Sequence, residues 1–331
     1  MEKTLIIAEA GVNHNGDFET AKKLVRIAKE CGADIVKFQT FNVDKLVSKY
    51  APMAEYQIEN TGKDESQKTM LEKLQLSQEQ FYALSDYCKE IGIEFLSTPF
   101  DIDSLSFLSG IQRIWKIPSG EITNYPYLVE IAKTKRPVIL STGMCSMSEI
   151  HDAVDVLKDN GVEDLTILHC TTEYPAPLSE VNLNVMKTLY KEFGCKIGYS
   201  DHTKGIEVAL TAVAMGAKII EKHFTLDKEM EGPDHKASLN PTELKALVDG
   251  VRRIESVMGR SYKEPTESEI KNRDVARKSI VASIDIKRGD VFTCDNITTK
   301  RPGNGISPMR WNEVLGKKAK RDFKEDELIE L

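Results

Sequence analysis

Residues 197–224, IGYSDHTKGIEVALTAVAMGAKIIEKHF, decide the fold. Two short apolar runs flank a stretch from Gly205 to Met215 whose apolar residues recur every three to four positions, a strand–helix–strand unit of the kind that builds parallel sheets. Each run ends on residues that a buried strand has no structural reason to keep. Asp201 and His202 close the first, Glu221 and His223 the second. The same unit recurs towards the N-terminus, with Glu9 after TLIIA, Lys37 and Gln39 in DIVKFQT, Ser97 and Thr98 in EFLSTPF, and Lys116, Ser119 and Glu121 in WKIPSGE. Ser141 in VILSTG and His169 and Thr172 in LTILHCTT complete the series. Strand alternating with helix eight times predicts an α/β fold of the (β/α)8 TIM-barrel type rather than an open doubly wound sheet. In such a barrel the C-terminal strand ends converge on the face where the chemistry is done, so the chain reads as an enzyme.

Helix boundaries are marked by caps. Ser146 stands three residues before Glu149, as in a capping box, and Asn240 precedes Pro241 at a first helical turn. Gly32, Gly92, Gly161 and Gly216 each fall between a helical stretch and a strand, where a left-handed cap is expected. A chain of 331 residues can bury a barrel core and leave about 50 to 70 residues for a second module. The boundaries expected are a catalytic barrel over 1–260, a polar linker over 261–277 and a β-rich module over 278–331, where short β-type pieces alternate with turns. The connection from Phe41 to about Thr69 is long for a compact domain and predicts a lid or binding loop beside the substrate.

A net charge of −7 argues against a nucleic-acid or anionic-membrane surface, although local lysines can still bind phosphate in a cleft. The six cysteines are scattered without metal-type spacing and read as core filler. No signal segment and no membrane-length apolar run is recognisable, so a soluble, reducing, cytoplasmic setting is expected.

His202 and His223 end adjacent strands, so their rings could share a divalent metal or simply hold loops by hydrogen bonds. Asp201 is a candidate for fixing the tautomer of its neighbour His202. Lys37 and Lys116, set in apolar runs, could form a phosphate or carboxylate cradle with Thr98, Ser119 and Ser141. A Schiff base and a plain ion-pair network with Glu9 or Glu121 are the competing uses of those lysines. Glu9 and Glu121 are the candidates for general acid–base work. His14, in GVNHNG, fits a loop residue that holds a turn, and His151 lies on a helix expected to face solvent.

The motifs AEAGVNHNGD, KFQ, LSTPFD, KIPSGEITNYPYL, STGM, LHCTTEYPAP, GYSDHT, EKHFTLD, GPDHKASL and KRPGNG run in order along almost the whole chain, which thereby resembles the sialic acid synthase family. The resemblance implies a TIM barrel joined to a small antifreeze-like (SAF) module. It also implies condensation of phosphoenolpyruvate with an N-acylated mannose-type sugar to a nine-carbon 2-keto acid. It further implies a divalent ion, manganese or magnesium, on His202 and His223, with Lys37, Thr98, Lys116, Ser119, Ser141, Tyr174 and Ser200 holding phosphoenolpyruvate. Glu9 and Glu121 would serve the chemistry, and Gln39, Asp234 and Arg301 would contact the sugar. Arg301 would come from the module of a partner subunit, which implies a domain-swapped homodimer. Thr172 and Glu173, in place of an HCTN-type stretch, and His235 and Lys236 after GPD depart from plain sialic acid synthases. They bring the chain closer to the legionaminic acid synthase branch, whose substrate is 2,4-diacetamido-2,4,6-trideoxymannose. N-acetylneuraminate synthesis, a Schiff-base pyruvate aldolase and a non-catalytic glycan-binding protein are the alternatives.

Overall fold

The computed structural model describes residues 3–48, 50–53, 58 and 66–331, and divides into two compact units, Met1–Gly259 and Arg260–Leu331. In the first, eight parallel strands form one nearly closed sheet: β1 (Leu5–Gly11), β2 (Ile35–Thr40), β3 (Glu94–Pro99), β4 (Trp115–Ile117), β5 (Val138–Ser141), β6 (Leu165–Cys170), β7 (Lys196–Asp201) and β8 (Ile219–His223). Their order, β3-β2-β1-β8-β7-β6-β5-β4, brings the first and last strands side by side, as a barrel requires. The remaining seam lies between β3 and the three-residue β4. There the Gln112 side chain takes the place of ladder bonds, accepting from Ser97 N (2.8 Å) and donating to Ser97 O (3.0 Å) and Ile114 O (3.1 Å).

The pleat decides which side chains enter the barrel, because alternate residues point to opposite faces. Ile7, Ile35, Leu96, Ile139, Leu168 and Ile219 pack together as one apolar interior layer. Two residues further along, the same faces carry Glu9, Lys37, Thr98, Ser141, Cys170 and Glu221, so the polar site rests directly on that layer. Gly198 of β7 belongs to the packed level. A Cβ there would stand 2.5 Å from both Ile219 O and Leu168 Cδ2. The outward-facing strand residues and the helices form the larger core, in which Trp115, Tyr127, Tyr199 and Phe224 are buried.

Helix ends follow the expected local chemistry. Ser146–Glu149 and Asn240–Glu243 form reciprocal capping boxes at the helices Met147–Asp159 and Pro241–Met258. Gly32 and Gly92 close Phe18–Cys31 and Gln78–Ile91 in the left-handed conformation, at φ 86° and 75°. The second unit has its own core, including Ile280, Ile286, Phe292 and Phe323, around an antiparallel pair, β9 (Ser279–Ala282) and β10 (Ile297–Lys300). The segment expected to be a polar linker contains the helix Glu267–Ala276. A Thr266–Glu269 capping box starts it, and none of its residues is buried. A local capping box thus starts a helix within the segment expected to be a linker.

Candidate active site

The C-terminal ends of the barrel strands surround a cavity of about 290 Å³. Lys37 and Lys116 enter it from β2 and β4, and both are only 3% exposed. Their counter-charges come from β1 and β8. Lys37 Nζ lies 2.7 Å from Glu9 Oε2 and 3.6 Å from Glu221 Oε2, while Lys116 Nζ lies 3.6 Å from Glu221 Oε1. Lys37 also donates to Thr98 Oγ1 at 3.2 Å. Ser200 Oγ donates to Glu221 Oε1 at 2.9 Å, and Gln39 Nε2 donates to Glu9 Oε1 at 3.3 Å.

Burial and neighbouring charge set the protonation states. Glu9 is pushed up to about 7, chiefly by burial and only partly offset by Lys37. Burial also acts on Glu221, but Lys116, Lys37 and the Ser200 hydrogen bond outweigh it and hold that carboxyl down at about 2. The two carboxyls repel one another, and burial leaves Glu9 the more readily protonated of the two. For Lys116 burial prevails and lowers its pKa against the pull of Glu221. For Lys37 the cost of burial is overcome by Glu221 and Glu9, which raise it.

The two histidines meet at the same rim, with ring centroids 5.6 Å apart. Tyr174 stacks on His202 at 4.1 Å and meets His223 edge-on at 5.6 Å. Burial lowers His202 to about 4 and His223 well below its ordinary value, the latter with help from the neighbouring ring, so both imidazoles are neutral. His202 Nδ1–H donates to Thr171 O at 2.6 Å, which leaves Nε2 as the lone-pair nitrogen. Asp201, expected to fix this tautomer, does not do so. It faces away from the barrel interior, accepting from Thr203 N, Thr203 Oγ1 and Lys222 Nζ (2.6 Å), because adjacent strand residues point to opposite faces. Neutral imidazoles with one lone pair directed inward suit a divalent ion, and His223 Nδ1 is buried with no hydrogen-bond partner. No cluster of three or more His, Cys, Asp or Glu groups suited to a metal occurs among the described residues.

The other polar wall is a group of small hydroxyls. Ser119 Oγ accepts from Gly143 N at 2.8 Å, while Ser141 Oγ and Thr172 Oγ1 are buried without partners. Asp234 reaches the cavity from the loop after β8, buried, and is pushed up to about 6 by desolvation. Met70, Leu71, Leu74, Val12 and Phe100 form an apolar side. Of the connection expected to act as a lid, residues 49, 54–57 and 59–65 lie outside the described residues. Its end, the helix Gln67–Glu72, supplies Met70 and Leu71.

Twelve of the expected site residues thus line one cavity: Glu9, Lys37, Gln39, Thr98, Lys116, Ser119, Ser141, Tyr174, Ser200, His202, His223 and Asp234. Glu121 does not line it. This residue ends the turn Ser119–Glu121, where its Oε2 accepts from Asn124 Nδ2 at 2.6 Å near the surface. The acid that faces both lysines is instead Glu221. Its place was readable two residues before His223, on the same strand face. Arg301 belongs to the second unit, where it is exposed. His14 holds its turn, as expected, by accepting from Gly16 N at 3.0 Å. His151 is half exposed and pairs with Glu192 at 3.0 Å. Cys170 is more than core filler because it lines the cavity, and Cys294 is exposed.

Residues 24–263 match the NeuB family and residues 277–330 match the SAF domain. The chain belongs to the NeuB family. A relative, the N,N'-diacetyllegionaminic acid synthase of Campylobacter jejuni, is 55% identical over 332 residues, covering 99% of each chain. The protein of the same name from Legionella pneumophila is 49% identical, covering 94% of this chain and 89% of its own. Among solved structures, the N-acetylneuraminic acid (sialic acid) synthetase of Leptospira borgpetersenii superposes with a TM-score of 0.72 at 36% identity, covering 82% of this chain and 90% of that one. The NeuB match ends close to the boundary between the two units at Gly259, and the SAF match takes in the β9–β10 module. No described helix is long and apolar enough to cross a membrane.

Proposed function

We propose that this chain condenses phosphoenolpyruvate with 2,4-diacetamido-2,4,6-trideoxymannose and water, giving N,N'-diacetyllegionaminate and phosphate. The observation that carries the reading is one cavity in which two buried ammonium groups stand with unpartnered hydroxyls across from a pair of neutral imidazoles. The near-full-length likeness to two legionaminic acid synthases favours the diacetamido sugar.

Lys37 and Lys116, with Thr98, Ser119, Ser141 and Ser200, hold the carboxylate and phosphate of phosphoenolpyruvate, because ammonium and hydroxyl donors together match a multiply charged oxyanion. His202 and His223 hold a divalent ion, manganese or magnesium. When bound, that ion supplies Lewis-acid polarisation of the sugar aldehyde. The methylene carbon of phosphoenolpyruvate forms the new bond to the aldehyde carbon, and water adds at the carbon that bears the phosphate. Glu9, ionising near neutrality, takes the proton of that water, the role expected of Glu121. The adduct then collapses, breaking the carbon–oxygen bond so that the bridging oxygen leaves with phosphate. Gln39 and Asp234 orient the sugar, and the apolar side made by Met70, Leu71 and Leu74 suits a deoxy sugar with a methyl terminus.

The same proposal includes a swapped dimer, in which Arg301 of one subunit meets the sugar of the other, and a cytoplasmic location. Mixing Arg301→Ala with Lys116→Ala protein restores activity if the module is shared between subunits. No recovery after confirmed subunit exchange counts against it. The decisive assay compares phosphate release with the diacetamido sugar and with N-acetylmannosamine, each with phosphoenolpyruvate and manganese. A higher kcat/KM for N-acetylmannosamine overturns the sugar assignment. A lysine adduct trapped by borohydride with pyruvate overturns the mechanism in favour of an aldolase.

A further inference from the structure

Asp234 reaches the cavity from an irregular loop, and a buried network outside the reacting groups holds that loop. Its base is tied to β8, where Leu239 N donates to His223 O and Thr225 N donates to Leu239 O, both at 2.9 Å. Its tip is tied to the turn after β1. Asn15 Nδ2 donates to Glu231 O at 2.9 Å, which turns Oδ1 towards His235 Nε2 at 3.1 Å. With an acceptor opposite Nε2, the ring carries its proton there, and Nδ1 faces Thr225 Oγ1 at 2.7 Å, a hydroxyl that also lies 3.1 Å from Asp227 O. The imidazole is fully buried, and a Cβ at Gly232 would lie 2.6 Å from its Cδ2 and 2.9 Å from Asn15 Oδ1. A second tether runs beside the first, since Asn13 Nδ2 donates to Ser238 Oγ (3.0 Å), which in turn donates to the backbone carbonyl of Asp234 (2.7 Å).

We infer that His235 is a positioning residue for sugar recognition: paired with Asn15, it latches the loop to the β1 turn and fixes Asp234 in the cavity. His235 follows Asp234 directly yet does not itself line the cavity, so its influence passes through the loop. The inference rests on the proposed function, in which Asp234 meets the sugar.

Four variants and one control test it, with KM measured separately for the diacetamido sugar and for phosphoenolpyruvate. Loss of the latch in His235→Ala should raise the sugar KM about tenfold and leave the phosphoenolpyruvate KM within about twofold. Hydrogen exchange of the peptide spanning 227–238 should rise in the ligand-free protein while the barrel strands keep their protection. Asn15→Ala should do the same, and the double variant should be no worse than either single one. His235→Gln, whose amide N–H can reach Asn15 Oδ1, should recover most of the sugar affinity. If His235→Ala does not fold, Asn15→Ala and His235→Gln carry the test. The latch is overturned if both KM values rise together or if exchange of the loop is unchanged. The control is Asp234→Ala. If it raises the sugar KM and the latch variants do not, the latch alone fails. If it leaves the sugar KM unchanged, the assignment of Asp234 to the sugar fails and the recognition role of His235 fails with it.

Discussion

Glu221→Gln is the substitution that separates an anion pocket from a structural ion-pair network. Glu221 sits 3.6 Å from each of Lys37 and Lys116. At an effective dielectric constant of about 20, a pair at that separation is worth about 5 kcal/mol. Glutamine keeps the shape and can still accept from Ser200 Oγ, so the change removes charge and little else. Lys37 retains Glu9 at 2.7 Å. Lys116, already lowered by burial, loses the partner that opposed that lowering. Its ammonium form therefore gives way to the neutral amine at a lower pH than in the parent protein.

The consequence for phosphoenolpyruvate changes sign with pH. Where Lys116 remains charged, the variant binds at least as well as the parent, because a competing carboxylate has gone. Above the new titration, a charge-assisted hydrogen bond of about 1.5–3 kcal/mol is lost, which is roughly 10- to 150-fold in KM. The assay is the phosphoenolpyruvate KM from pH 6 to 9 at saturating sugar, in the parent, Glu221→Gln and Lys116→Met. The variant's curve should climb at lower pH than the parent's, and Lys116→Met should be weak at every pH. Parallel curves for parent and Glu221→Gln would refute the view that Glu221 keeps Lys116 charged for the substrate.

Four further outcomes are expected. Glu9 must be ionised to act as a base, so kcat/KM should rise through about pH 7, and Glu9→Gln should lose that limb together with about 10²- to 10⁴-fold in rate, read from a pH–rate profile. His223→Ala should weaken manganese binding in calorimetry as well as abolish turnover, and unchanged metal affinity would remove this residue as a ligand. Lys222→Met strands the buried Asp201 carboxylate, now paired at 2.6 Å, and should cost about 3–5 kcal/mol in urea unfolding. Gly143→Ala places a methyl 2.1 Å from Thr172 Oγ1 and 2.8 Å from Cys170 Sγ, so phosphoenolpyruvate affinity should fall at least about tenfold while the protein stays folded at an overpacking cost of about 1–3 kcal/mol.

Most of the barrel was legible because two periods that do not depend on distant contacts, 3.6 in the helices and 2 in the strands, mark where each element begins and which face it buries. The strand ends also marked the rim: His202, His223, Lys37 and Lys116 all line the cavity there. Partner choice was not legible. Asp201 and His202 are neighbours in sequence and were candidates to bond, yet adjacent strand residues point apart, and the ring found the Thr171 carbonyl of the loop after the neighbouring strand β6 instead. Glu121 lies off the cavity for a related reason. The chain leaves β4 at Ile117 and turns, so the alternation that placed Lys116 no longer applied four residues later. Met70 and Leu71, in a helix of six residues, and the turn residue Asn15 belong to segments too short to carry a period that would have revealed their role.

The apolar layer of Ile7, Ile35, Leu96, Ile139, Leu168 and Ile219 explains why the charges above it come as a balanced set. Two ammonium groups resting on such a floor cannot stay charged without carboxylates close by, since burial alone drives lysine towards its neutral form. Glu221 meets that need for both lysines, whereas for Glu9 burial outweighs the pull of Lys37 and leaves it poised near neutrality. The same fixed arrangement accounts for two nearly identical carboxyls ending up at about 2 and about 7. One is anchored between cations and a serine hydroxyl. The other, with a single close lysine and the glutamine of β2, is pushed up chiefly by burial and so can exchange a proton near neutrality.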